Sequence, residues 1–221
     1  MRKTIISFII IIFIVIFSTT ISKAGVQIIK GATTYTSVNV SESFDLCYNV
    51  RNGDSTLGTN TLDPHLATSL DWGAVAYLAQ SRYGANATST NSYNSTSTGN
   101  ESGVKDTGGY MQTATLFENR NKTSTNAKSY RYRLEEALKT PGMEKYVDEI
   151  SNTVNVTTTL GRAIAETQNW YGASYTFQNQ SNTDYPIIIR DSLFGVNTNF
   201  NFDFAAGQAA ANVTFRPVIW N

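Results

Sequence analysis

Residues 199–204 read Asn-Phe-Asn-Phe-Asp-Phe, three aromatics alternating with two amides and a carboxylate. In an extended strand residues two apart share a face, so Phe200, Phe202 and Phe204 point one way and Asn199, Asn201 and Asp203 the other. The phenyl face belongs in a core. The polar face offers donors and acceptors on short side chains, a chemistry of recognition by hydrogen bonding. Each polar residue taken singly also suits the wet side of any half-exposed strand.

Bond-making chemistry finds less support. His65, in Leu-Asp-Pro-His-Leu-Ala, is the sole histidine and has Asp63 two residues away, but no nucleophile signature such as Gly-x-Ser-x-Gly accompanies it. Its place after Pro64 predicts a turn or a helix entry. The acidic pairs Glu135-Glu136 and Asp148-Glu149 fall in charged helical stretches and read as exposed faces. Ser-Thr-Gly-Asn-Glu-Ser-Gly lacks the spacing and the lysine of a phosphate-binding loop. Arg120, Lys122, Lys128, Arg131 and Arg133 occur without an intervening acid, and such a run is expected to be solvated. Cys47 is the only cysteine, so an internal disulfide is impossible and a structural zinc site is not expected. The expected role of Cys47 is a small buried hydrophobe.

The chain of 221 residues opens with Met-Arg-Lys, an apolar run ending at Phe17, and small residues at Ser22 and Ala24. These are the parts of a secretory signal peptide over residues 1–24, with an uncleaved membrane anchor as the alternative. The apolar run is shorter than the ~18 residues of a comfortable membrane span. Without Arg2, Lys3 and Lys23, the 17 basic residues fall to 14 against 17 acidic. That near-neutral balance does not indicate a nucleic-acid binder or a polybasic membrane module, and no nucleic-acid partner is expected. A membrane contact is expected only through an uncleaved N-terminal segment.

Residues 25–43 are rich in Thr, Ser and Val and predict a strand or an extended linker, with the folded domain at 44–221. Ser69 or Thr68 can cap a helix over Ser-Leu-Asp-Trp-Gly-Ala-Val-Ala-Tyr-Leu-Ala-Gln, which Gly84 would stop. Its stripe of Leu70, Ala74, Tyr77, Leu78 and Ser81 is expected to face inward. Residues 85–109 hold little but Asn, Ser, Thr and Gly, a long surface loop with Asn-x-Ser/Thr triplets at Asn86, Asn94 and Asn100. Tyr110–Phe117 predicts a strand, and residues 130–150 predict two short helices broken at Pro141-Gly142, with Met143, Tyr146, Val147 and Ile150 inward. From residue 171 the pattern turns to strands, the last of them Val-Thr-Phe-Arg-Pro-Val-Ile-Trp. Arg216 within it is expected to pair with Asp191 or Asp203, and Pro217 to lie at an edge or bulge. Trp72, Trp170 and Trp220 are expected in the core or at its rim. Early helices and late strands indicate an α+β domain.

Four blocks then occur in a recognisable order: "DPHLATSLDWGAVAYLAQSRYG", "STSTGNESGVKDTGGYMQ", "GRAIAETQNWYG" and "YPIIIRDSLFG…FNFDFAAGQAAANVTFRPVIW". Over residues 62–220 they resemble secreted or pilin-like surface proteins of gut Firmicutes. These carry a C-type-lectin-like domain related to the formylglycine-generating, sulfatase-modifying fold. Lys105-Asp106-Thr107-Gly108 departs from the Tyr-Asp-Met-Ser of the family pattern, and no Gly-Phe-Thr-Leu-Ile-Glu prepilin processing site is present. The resemblance implies two main helices, small antiparallel sheets, long loops and a ligand surface at the C-terminal loops and strand. It also extends to the variable proteins of diversity-generating retroelements, which randomise a C-terminal segment. By that resemblance the ligand-binding residues are Asp191, Ser192, Phe194, Asn197, Asn199, Asn201 and Asp203, with Trp170 and Tyr171 available to stack on a sugar. Formylglycine-generating enzymes use a cysteine pair, which this chain lacks, so no catalysis is expected. The expected function is extracellular recognition or adhesion, with a protein or glycan partner and a secreted or cell-surface location. The alternatives are a structural pilin-like or envelope component and an enzyme relative that has lost its cysteines. No cofactor is expected, with Ca²⁺ left open.

Overall fold

In the computed structural model, the stretch expected to be linker as far as residue 43 turns helical at Val40. The structure describes residues 35–53, 63–81, 110–123, 125–151, 156–167, 184–191, 202–211 and 213–220. Helix α1, Val40–Gly53, begins at a reciprocal cap. Asn39 Oδ1 accepts the Glu42 N–H at 2.9 Å, and Glu42 Oε2 accepts the Asn39 N–H at 2.8 Å. Asn followed three residues on by Glu is the sequence signature of such a start.

Strand β1, Asp63–Leu66, contains His65 in place of the expected turn. Helix α2, Ser69–Gln80, is capped by Thr68 with Asp71 closing the box, and it ends at Ser81. The proposed stop at Gly84 lies outside the described residues. Strand β2, Tyr110–Phe117, is buried over seven of its eight residues. Helix α3, Thr125–Ala137, is followed by a single 3-10 turn, Glu144–Tyr146, and by strand β3, Asp148–Ile150. The second expected helix is therefore a turn and a strand. Its inward residues were identified correctly, since Tyr146, Val147 and Ile150 are buried and Met143 packs against the core. Strands β4, Ile187–Asp191, β5, Phe202–Ala205, β6, Val213–Phe215, and β7, Pro217–Trp220, complete the chain. The architecture is α+β, with three helices among the described residues.

The main sheet runs β3-β2-β4-β5, and β6 also pairs with β2. Antiparallel β4 takes one side of β2. Parallel β6, along Tyr110–Gln112, and parallel β3, along Thr115–Phe117, share the other side end to end. The sheet is thus mixed, where small antiparallel sheets were expected. One residue, Arg216, separates β6 from β7, and the chain uses it to switch sheets. β7 pairs antiparallel with β1, and Pro217 stands opposite Leu66 at the end of that two-stranded ribbon.

Two cores flank the main sheet. Val40, Phe44 and Cys47 of α1 and Leu134 and Ala137 of α3 pack on Ala114, Leu116, Ile187 and Ile189. Phe117, Ile150, Ile164, Ile188 and Phe202 form the second cluster. Burial pushes the Cys47 thiol far up, so it behaves as the expected small hydrophobe.

Helix α2 reverses its expected orientation. Leu70, Val75 and Leu78 are exposed, whereas Ser69, Gly73 and Ala76 are buried. The reason is steric. A Cβ on Gly73 would stand 1.8 Å from the Gly161 carbonyl oxygen, so only the small face lets helix and loop meet this closely. Gly73→Ala is expected to lower stability by about 3 kcal/mol through overpacking, read from the urea unfolding midpoint.

Burial overturns the solvated reading for Arg120 and Arg131 of the basic run and for one member of each acidic pair, whereas Lys122 and Lys128 are exposed as expected. Arg120, Arg131, Glu135 and Asp148 are buried, while Glu136 and Glu149 stay exposed. Arg120 holds Glu135 through Nε at 2.6 Å and Nη2 at 3.0 Å, and it reaches Glu149 at 2.6 Å. Arg131 adds a bond to Glu135 at 3.2 Å. Burial alone would push the Glu135 carboxyl up, but the two guanidinium groups hold it below its ordinary 4.5. Its contribution to stability is therefore present above the unfolded value and lost as pH falls through the lower folded one. Glu135→Gln is expected to cost about 3–5 kcal/mol at pH 7 by leaving two buried cations short of a counter-charge. Denaturant titrations of both proteins should converge as the pH drops below the ordinary carboxylate range.

Candidate functional site

Strands β4 and β5 are antiparallel neighbours, with Ile187 opposite Ala205, Ile188 opposite Phe204, Ile189 opposite Asp203 and Arg190 opposite Phe202. Residues 192–201 join them. Opposed residues share a face, so Phe202 and Phe204 lie with Arg190 and Ile188, and Asp203 lies with Ile189. Phe202 is 7% exposed, and Phe204 packs against the same cluster. The Phe204 ring is 5.8 Å from Phe202 and 5.3 Å from Phe117. Asp203 is exposed, and its Oδ1 accepts the Phe204 N–H at 2.8 Å. The alternation expected from the sequence holds wherever it is described, with phenyl rings in and carboxylate out. Among the described residues β5 is paired on one side only.

Of the residues assigned to the ligand surface, Asp203 is described fully and Asp191 by its backbone, at the end of β4 opposite Tyr110. Trp170, Tyr171, Ser192, Phe194, Asn197, Asn199 and Asn201 lie outside the described residues. The backbone therefore brings Asp191 and the start of β5 to one end of the hairpin.

Beneath this end sits Arg190, which the sequence reading did not single out. It is fully buried, and it donates through Nη1 to the Ala163 carbonyl at 2.8 Å and through Nη2 to the Arg162 carbonyl. Its guanidinium carbon is 5.8 Å from the Trp72 ring and 5.7 Å from the Phe202 ring, within cation–π range. Burial pushes its pKa down to about 9, against the pull of the Glu166 and Asp148 carboxylates. Trp72, half-buried at the rim, thus belongs to the hairpin's support. A charge closing the apolar run Ile-Ile-Ile-Arg was the available sequence signal.

The loop that Arg190 grips is itself braced. Arg162 clamps Asp148 with bonds of 2.7 and 2.6 Å. Burial nevertheless holds the Asp148 carboxyl above its ordinary value. Glu166 accepts the Ala163 and Ile164 N–H groups at 3.1 Å each. Burial and the Glu166 carboxylate together raise the Tyr77 hydroxyl to about 12.

The expected Arg216–Asp203 pair does not form, because β2 and β4 stand between β6 and β5. Among the described residues Arg216 makes no ion pair, and burial lowers its pKa. Its carbonyl accepts the Ala67 N–H at 2.9 Å and so joins the two sheets. His65 is buried, with Nδ1 3.2 Å from the Asp63 carbonyl and Nε2 3.4 Å from Asp71 Oδ2, a bridge from β1 to the start of α2. Asp63 in turn accepts from Lys145 Nζ at 2.6 Å and from the Tyr146 hydroxyl. Both of its oxygens are engaged, which makes this cluster a clasp between β1 and the 3-10 turn. Among the described residues no group of three or more His, Cys, Asp or Glu is placed to hold a metal ion, and no helix is long and apolar enough to cross a membrane.

The chain matches no family model, no curated protein and no solved structure.

Arg190→Lys is expected to cost about 2–3 kcal/mol, because one ammonium cannot reproduce the fork that reaches two carbonyls. Chemical denaturation measures the loss, and amide hydrogen exchange at Phe202 and Phe204 should rise with it.

Proposed function

We propose that this chain is a non-catalytic extracellular recognition domain of C-type-lectin-like fold. Its contact surface is the loop end of the β4–β5 hairpin, and its partner is a protein or glycan outside the cell. The surface comprises Asp191, Ser192, Phe194, Asn197, Asn199, Asn201 and Asp203, with Trp170 and Tyr171 as stacking groups. The observation that carries this reading is the facing of β5, where two phenylalanines anchor the strand inward while Asp203 is left in water. Arg190 holds β4 and β5 from beneath, and a fixed support of this kind lowers the entropy cost of binding at Asp203.

Within the described residues, contact between the first segment and strand β6 supports the fold. Thr36 bridges Thr214, and the Thr214 hydroxyl donates to the Tyr35 carbonyl at 3.0 Å. Export through the N-terminal segment, or anchorage by it, supplies the extracellular location. Diversification of the asparagine positions by a retroelement belongs to the same proposal.

The test is binding to arrays of glycans and extracellular proteins, with and without a chelator of Ca²⁺. The Asn197/Asn199/Asn201 triple alanine variant is expected to lose at least tenfold in affinity while its near-ultraviolet circular dichroism stays that of the parent. Full affinity in the variant overturns the assignment. Sequencing the gene region for a reverse transcriptase and a near-copy of the coding 3′ end tests the diversification.

A further inference from the structure

No further inference is drawn: the strongest candidate, the side-chain pair of Arg190 and Trp72 beneath the β4–β5 hairpin, whose buried Nε and Nε1 atoms have no hydrogen-bond partner among the described residues, belongs to the site already described, and nothing in the structure shows what would occupy it.

Discussion

A guanidinium taken out of water must be given acceptors, and much of this domain is arranged to supply them. Arg120 and Arg131 converge on Glu135, Arg162 clamps Asp148, and Arg190 reaches the carbonyls of residues 162 and 163. Arg131 bonds within its own helix, and the other contacts join separate elements. Arg120 ties the end of β2 to α3, and Arg162 ties a loop to β3. In a chain with one cysteine no disulfide can do this. Apolar burial drives collapse, but it has no direction. The fork of a guanidinium does, and it sets which loop lies against which strand.

The hairpin illustrates the consequence. Its inner face is conventional, with Ile188, Phe202 and Phe204 in one cluster. What positions it is Arg190, placed between the Trp72 and Phe202 rings and bonded to the loop that α2 packs against. The exposed Asp203 on β5 thus stands beside a strand anchored by a buried cation. The carboxylates nearby are engaged as clasps or caps, Asp148 by Arg162 and Glu166 by the Ala163 and Ile164 N–H groups.

Helix α2 shows the cost of close packing. Gly73 must sit against Gly161, so the small residues turn inward and the leucines turn out. The inversion gives a short helix-to-loop distance and leaves an apolar ridge in water. One steric fact accounts for both the tight interior and the exposed face.

Local chemistry determined a good deal. The Thr68–Asp71 cap, strand β2, the alternation at Phe202–Phe204 and the burial of Tyr146, Val147 and Ile150 all follow from neighbours a few residues apart, and they were legible in the chain. The α1 cap, Asn39 with Glu42, was equally local and was overlooked because the surrounding Thr, Ser and Val favour a strand. Other features had no local cause. Whether Arg120 and Glu135 are solvated or buried depends on α3 folding back over β2, and which face of α2 turns inward depends on a glycine 88 positions later, at residue 161. Arg216 could not be matched to its neighbours until β2 and β4 were known to lie between it and Asp203. Periodicity reports that a side chain has a face; only the tertiary structure decides what stands opposite it, because desolvation and steric fit are properties of the pair.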